Sequence, residues 1–242
     1  MPVQVLKLNK MISKYKKILT FFAHPDDETL AAGATINKLS NSGSQVYVAI
    51  PATGIHARKN TQKKNVREKK LSSLRNDTFK ALSIIGVKKS NIFFGDFDDN
   101  ELDKHTLLKL IHWIEKLIDK IKPDAIFTHH RYCTNIDHQY CHEACIVATR
   151  PSINSHIPVF CGEVPSSTGY LKPTQWEPNF YVNVSKDDVK AKIKAMQTFK
   201  NEARPDPHPR SPEVLMSLAK VRGSESGFFF AESFMMQKMF EY

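Results

Sequence analysis

Four short apolar runs constrain this chain more than any other feature. Lys17 to Ala23, Gln45 to Ile50, Asn91 to Phe94 and Ala125 to Thr128 have the length and content of buried strands, and stretches with helical spacing separate them. Thr29 to Asn41 reads as the first helix. Leu71, Leu74, Phe79, Leu82 and Ile85 mark a second over Thr61 to Ile85, with Gly86 as its C-cap, and a third covers Lys104 to Ile121. Strand and helix in alternation imply a parallel sheet with right-handed crossovers. The expected fold class is therefore α/β, an open, mostly parallel sheet flanked by helices. With 242 residues and 41% hydrophobic content the chain can bury one full core, so a single domain over 1–242 is expected, its core spanning about 1–165.

The first run stops in a packet of ligand-type side chains, His24-Pro25-Asp26-Asp27-Glu28. It lies at a strand-to-helix turn, where open α/β sheets bind ligands. Pro25 fixes its own φ and disfavours helix at His24, so the imidazole should project from the turn while Asp26 and Asp27 begin the helix. Carboxylates are favoured at that end of a helix. Two adjacent carboxylates beside an imidazole suit metal-assisted hydrolysis, one holding a cation while its neighbour takes a proton from metal-bound water. The plain alternative is a capped helix with solvated acids. The fourth run ends in His129-His130, and Asn135-Ile136-Asp137-His138 then opens a helix that carries His142 and runs to about Thr149. A His at that position meets His24 and Asp27 if the two strands are neighbours where the strand order reverses. Two imidazoles and one carboxylate are a common catalytic zinc set. His138 and His142, one helical turn apart, form a competing pair within the same segment.

Two more strand ends carry polar loops. Ala52 to Arg58 contains Gly54, His56 and Arg58, whose planar guanidinium can clamp an anionic group or simply face solvent. Gly95-Asp96-Phe97-Asp98-Asp99-Asn100 reads as an acidic turn. Farther on, Pro158 to Val164 and Asn179 to Val184 look like strands, and Lys186 to Asn201 and Pro212 to Val221 like helices. The part from about 166 to 242 forms a C-terminal α+β extension. Within it, Ala203 to Arg210 contains Pro205, Pro207 and Pro209 and cannot be regular, which suits an arm or lid. Arg204, Arg210 and Arg222 suit either an anion site near the active centre or subunit contacts. Phe228 to Phe230, Phe234 and the neighbouring Met residues suit core or an oligomer interface, and a homo-oligomer is expected. The net charge of +10 fits a phosphate-bearing substrate, whereas no zinc-finger or RNP-type pattern accompanies it, so no nucleic-acid partner is expected. The apolar run after the basic N-terminus is too short for a signal h-region or a membrane span. With no C-x-x-C pair among Cys133, Cys141, Cys145 and Cys161, a cytoplasmic protein is expected.

Ala23-His24-Pro25-Asp26-Asp27-Glu28 followed by Asn135-Ile136-Asp137-His138 resembles the PIG-L/LmbE-like family of metal-dependent N-deacetylases. Phe94-Gly95-Asp96-Phe97, Glu163 to Ser167, Pro207-His208-Pro209-Arg210-Ser211 and Arg222-Gly223-Ser224 look like segments of one bacterial branch. The resemblance implies a Rossmann-like fold and removal of the N-acetyl group from an amino sugar, free or nucleotide-, lipid- or glycoside-linked. It implies Zn²⁺, or another divalent transition metal, on His24, Asp27 and His138, with Asp26 as general base toward zinc-bound water. Asp137 would orient His138 or another imidazole. Arg58 and Asp99 would lie near the sugar. One position departs from the pattern. Many family members carry a His where this chain has Asn135, and an Asn amide donates a hydrogen bond to an oxyanion but supplies neither charge nor proton. The missing cation would come from His129 or His130 or, as the resemblance to this branch implies, from His208, on the substrate side of the site. The rival expectations are the same machinery acting on a non-sugar acylamide and a metal-containing sugar-binding protein that does not turn over.

Overall fold

Strand β1 (Lys17–Phe21) is buried along all but its first residue, and its side chains alternate between two cores. The computed structural model describes residues 14–54, 64–152, 155–172 and 175–240. Ile18 and Phe22 pack with Leu30, Ile36 and Leu39 of helix α1 (Asp27–Asn41) and with Leu82 and Ile85 at the end of α2 (Lys64–Ile84). Leu19, Phe21 and Ala23 pack on the opposite side, against Leu110, Ile114 and Leu117 of α3 (Leu107–Ile121) and Cys141 and Cys145 of α4 (Ile136–Ala148). Two layers of helix thus cover both faces of one sheet, which is why its strands read as continuous apolar runs rather than as alternating ones.

The sheet has seven strands in the order β3-β2-β1-β4-β5-β7-β6. Strands β2 (Gln45–Ala52), β3 (Ile92–Phe97), β4 (Ala125–His129) and β5 (Val159–Gly162) join β1 in parallel, as expected. The order reverses between β1 and β4, so the turn carrying His24 and the loop leading to His138 open at the same edge. Beyond β5 the sheet turns antiparallel through β7 (Ala231–Lys238) and β6 (Phe180–Asn183). Helices α5 (Lys186–Met196) and α6 (Pro212–Ser226) of the extension pack against α1 and β7. The residues after 166 therefore extend the same sheet.

Several boundaries differ from the sequence reading, each for a local reason. β2 does not stop at Pro51 but continues to Ala52, because the register with β3 shifts there and a bulge spares the missing N–H. β3 runs through Gly95 to Phe97, where a turn was expected. A Cβ on Gly95 would stand 2.5 Å from the Pro51 carbonyl oxygen, so glycine here marks close approach of two strands. The acidic turn begins only after Phe97. Helix α5 ends at Met196 rather than Asn201, while α6 continues past Val221 to Ser226, where Gly227 at φ 73° closes it. β7 was read as generic core or interface. Asn135 does open α4, its side chain accepting the Asp137 N–H as an N-cap. The four cysteines are free and buried. No helix among the described residues is long and apolar enough to cross a membrane.

Candidate active site

The turn after β1 and the start of α4 bring two imidazole nitrogens onto one carboxylate oxygen. His24 Nδ1 and His138 Nε2 each lie 3.1 Å from Asp27 Oδ2. His24 is held from behind, its Nε2 standing 2.9 Å from Asp137 Oδ2 and 3.1 Å from Asp99 Oδ1. Asp137 is itself fixed, accepting the backbone N–H of Asn100 and of Leu102. Ser167 Oγ, 3.3 Å from His138 Nδ1, does the same service for the second ring. Asp137 thus orients His24, not the adjacent His138.

The electrostatics of this cluster call for positive charge. Burial opposes charging His24, but hydrogen bonds to Asp137, Asp27 and Asp99 outweigh it and raise its pKa well above the usual value. Burial likewise opposes ionising Asp27, yet His138, His24 and His129 hold its carboxyl well below the ordinary range. His24, Asp27 and His138 offer ligand atoms within 4.8 Å of one another. Tetrahedral N and O ligands about 2.1 Å from an ion stand roughly 3.4 Å apart, so contacts of 3.1 Å fit a divalent ion with little rearrangement. Two other groups satisfy the same distance, His24 with Asp99 and Asp137, and His129 with Cys133 and His138. The first is occupied by its own hydrogen bonds. In the second, the His129 and His138 rings stack at 3.8 Å and 15°, so their nitrogens lie in near-parallel planes, and His129 Nε2 is already taken by the Ala23 N–H.

Beside the trio opens a cavity of about 610 Å³, lined among others by Asp26, Asp99, Asn100, Thr134, Asn135, Ser166, Glu202 and Arg210. Asp26 is 3% exposed, which removes the reading of solvated cap acids. It stands at the N-cap of α1 with φ 117°, a left-handed backbone that is costly for any residue but glycine, and its side chain makes no cap hydrogen bond. Instead Oδ2 accepts a hydrogen bond from Arg210 Nη1 at 2.8 Å. Burial raises its carboxyl to about 8, Arg210 opposing and Asp27 and Glu28 assisting the rise.

Other residues singled out in the sequence fall in different places. Asp99 lines the cavity, and so does Asn135, whose Nδ2 donates to Asn100 Oδ1 while its Oδ1 caps α4. His129 is fully buried behind His138 and off the cavity wall, its Nε2 accepting the Ala23 N–H at 2.8 Å. His130 packs between Tyr132 and Trp176, also off the wall. His142 turns its Nδ1 to the His129 carbonyl, so the helical pair with His138 does not form a site. His208 does not line the cavity and accepts the Arg210 N–H through Nδ1. The arm thus sends its arginine inward. Arg58 lies outside the described residues. Glu202, Ser166 and Thr134 were not singled out; a lone polar residue in a loop carries no local sign of the wall it joins.

Residues 19–149 match the profile described as PIG-L, GlcNAc-PI de-N-acetylase. Diacetylchitobiose deacetylase of Thermococcus kodakarensis is 27% identical over 237 residues, covering 93% of this chain and 85% of that protein. Among solved structures, N,N'-diacetylchitobiose deacetylase of Pyrococcus horikoshii superposes with a TM-score of 0.74 at 20% identity, covering 97% of this chain and 92% of that one. The 4-carboxy-2-hydroxymuconate hydratase GalB of Pseudomonas putida KT2440 superposes at 0.70 with 18% identity, over 94% and 98% of the two chains. At these identities structural likeness speaks for the fold alone, and the fold carries more than one chemistry.

Proposed function

The chain belongs to the PIG-L family of GlcNAc-PI de-N-acetylases, and on that premise we propose that it hydrolyses the N-acetyl group of an amino sugar or amino-sugar conjugate, with a divalent ion held by His24, Asp27 and His138. The observation that carries this reading is the meeting of two imidazole nitrogens on Asp27 Oδ2 at the mouth of a cavity that also contains a buried Asp26. Zinc follows from the type of donors. When bound, the ion supplies a positive charge that acidifies water and polarises an amide carbonyl.

The side chains do the rest. Asp26 takes the proton from the attacking water and returns it to the departing amine. Burial raises the proton affinity of this carboxyl above that of an exposed Asp, which strengthens it as a base toward the attacking water. Asp137 receives the Nε2–H of His24 and so turns the Nδ1 lone pair toward Asp27, and Ser167 acts on His138 in the same way. Asp99, Asn100, Thr134 and Ser166 supply acceptors and donors for sugar hydroxyls. Four carboxylates line the cavity, and the cation among its described lining residues, Arg210, is shared by two of them. A neutral sugar suits that wall better than a phosphate-bearing one.

The test is acetate release from a panel of N-acetylated sugars, free, glycosidic and nucleotide-linked, N,N'-diacetylchitobiose included. Metal-replete protein, chelated protein and Asp26→Ala run side by side. Release from a neutral member that stops with chelator and with Asp26→Ala is expected. Metal-replete protein that binds one ion per chain yet releases acetate from no member would overturn the hydrolase.

A further inference from the structure

The loop from Asn201 to Ser211 touches the site through one strongly held side chain. Arg210 donates through Nη1 to Asp26 Oδ2 at 2.8 Å and to Glu202 Oε2 at 2.9 Å, and through Nε to Ser166 Oγ at 3.1 Å. Arg204, on the same loop, spends its guanidinium on the carbonyls of Asn201 and Ala203 and remains exposed. Two arginines six residues apart thus behave oppositely. Asp26, for its part, occupies a helix N-cap where its ordinary use would be to accept the N–H of Glu28 or Thr29, and it does not.

We propose that Arg210 is a positioning residue for Asp26, drawing the carboxylate off the end of α1 by its Oδ2 and leaving Oδ1 as the oxygen that handles the proton. The proposal rests on the reading of Asp26 given above. Without the guanidinium, the side chain turns toward the N–H groups of the first turn of α1, the partners an aspartate commonly takes at an N-cap. With it, Oδ1 has no protein partner among the described residues. In the forward step a water O–H bond breaks as Oδ1–H forms. In the return step Oδ1–H breaks as the amine gains a proton and the C–N bond opens. Ser166 and Glu202 hold the guanidinium in place, so the arm acts on the reaction through a single contact. The family's customary His is absent at Asn135, and nothing in this role asks Arg210 to replace it.

Arg210→Met and Arg204→Met, compared with wild type, test the assignment. On the panel member that wild type turns over, Arg210→Met is expected to lower kcat about 100-fold with KM held within about threefold, the pattern of a lost proton-transfer geometry rather than lost binding. Zinc stoichiometry and affinity stay at wild-type values. Guanidinium chloride restores about tenfold of the loss and potassium chloride at equal ionic strength does not. Arg204→Met stays within about twofold of wild type. Crystals of zinc-loaded Arg210→Met show the Asp26 carboxylate rotated onto the N–H groups of Glu28 or Thr29. An Asp26 that keeps its position in those crystals overturns the proposal. So does a raised KM with unchanged kcat, which would make Arg210 a substrate contact. If wild type releases acetate from nothing, the hydrolase reading fails, and the crystal comparison still decides whether Arg210 positions Asp26.

Discussion

Two carboxylate–cation pairs sit where the C-terminal extension meets helix α1, and they are built to opposite ends. Behind the helix, Lys192 Nζ stands 2.6 Å from Glu232 Oε1, with both side chains under a tenth exposed. Glu232 also accepts the backbone N–H groups of Ala34 and Thr35, and Gly33 leaves room for the lysine stem, since a Cβ there would meet Lys192 Cγ at 2.9 Å. Every acceptor is spent inside the fold. At the front, Arg210 and Asp26 are as close, but the guanidinium is 20% exposed, one carboxylate oxygen is unspent, the backbone is left-handed and a cavity of about 610 Å³ opens beside them. The closed pair holds the extension on. The open pair keeps a reactive group where a helix end would otherwise claim it, and local strain of this kind persists because the surrounding structure over-determines it.

Substitutions separate the two roles. The largest effect belongs to the open pair: Asp26→Asn is expected to lower kcat by about 10²–10⁴-fold while the melting temperature stays near wild type, since Asn has the same shape as Asp and bears the same backbone cost. Steady-state acetate release together with a thermal melt reads both. A melt shifted as strongly as the rate would return Asp26 to a structural role. Next comes the closed pair. Lys192→Met leaves Glu232 buried without its cation and should cost about 3–5 kcal/mol in denaturant unfolding, with activity per folded molecule unchanged. Adding Glu232→Gln should restore much of that loss, and the absence of any recovery would show that the lysine acts through packing alone. The smallest effect lies at His130, a third buried titratable group, enclosed by Tyr132 and Trp176. Burial, helped by His142, lowers its pKa to about 4. The folded ring stays neutral where the unfolded ring takes a proton, so stability falls as pH drops from about 6.5 toward 4. After solvent screening the loss is on the order of 1–2 kcal/mol. His130→Asn, which keeps an acceptor for the Tyr132 N–H, should flatten that slope, and an unchanged pH profile of unfolding would remove the assignment.

Much of this was legible in the chain because it is local. Strand and helix order through β4 follows from apolar periodicity, and the turn at His24 from Pro25 and the acids after it. Even so, the closed and open pairs looked alike in sequence. Nothing local in the sequence marks Lys192 or Glu232, and Arg210 reads as one of three arginines suited to an anion site or to subunit contacts. β7 was missed because its core half is covered on both faces and shows no alternation, so Phe234 and the methionines gave only a hydrophobic signal. His129 and His142 looked as available for chemistry as His138, and only the tertiary structure brought the His138 ring onto the cavity side of Asp27, left His129 buried behind it and turned His142 to a backbone carbonyl.

The sequence by itself determined the α/β class, the two strand ends that meet at the candidate site and the residue types gathered there, because periodicity, turn residues and ligand spacing act over a few residues. The tertiary structure alone decided that Asp137 holds His24 and that an arginine from late in the chain meets Asp26. Those contacts join residues 113 and 184 positions apart, and such pairings are fixed by how the sheet is ordered and closed, which no local pattern encodes.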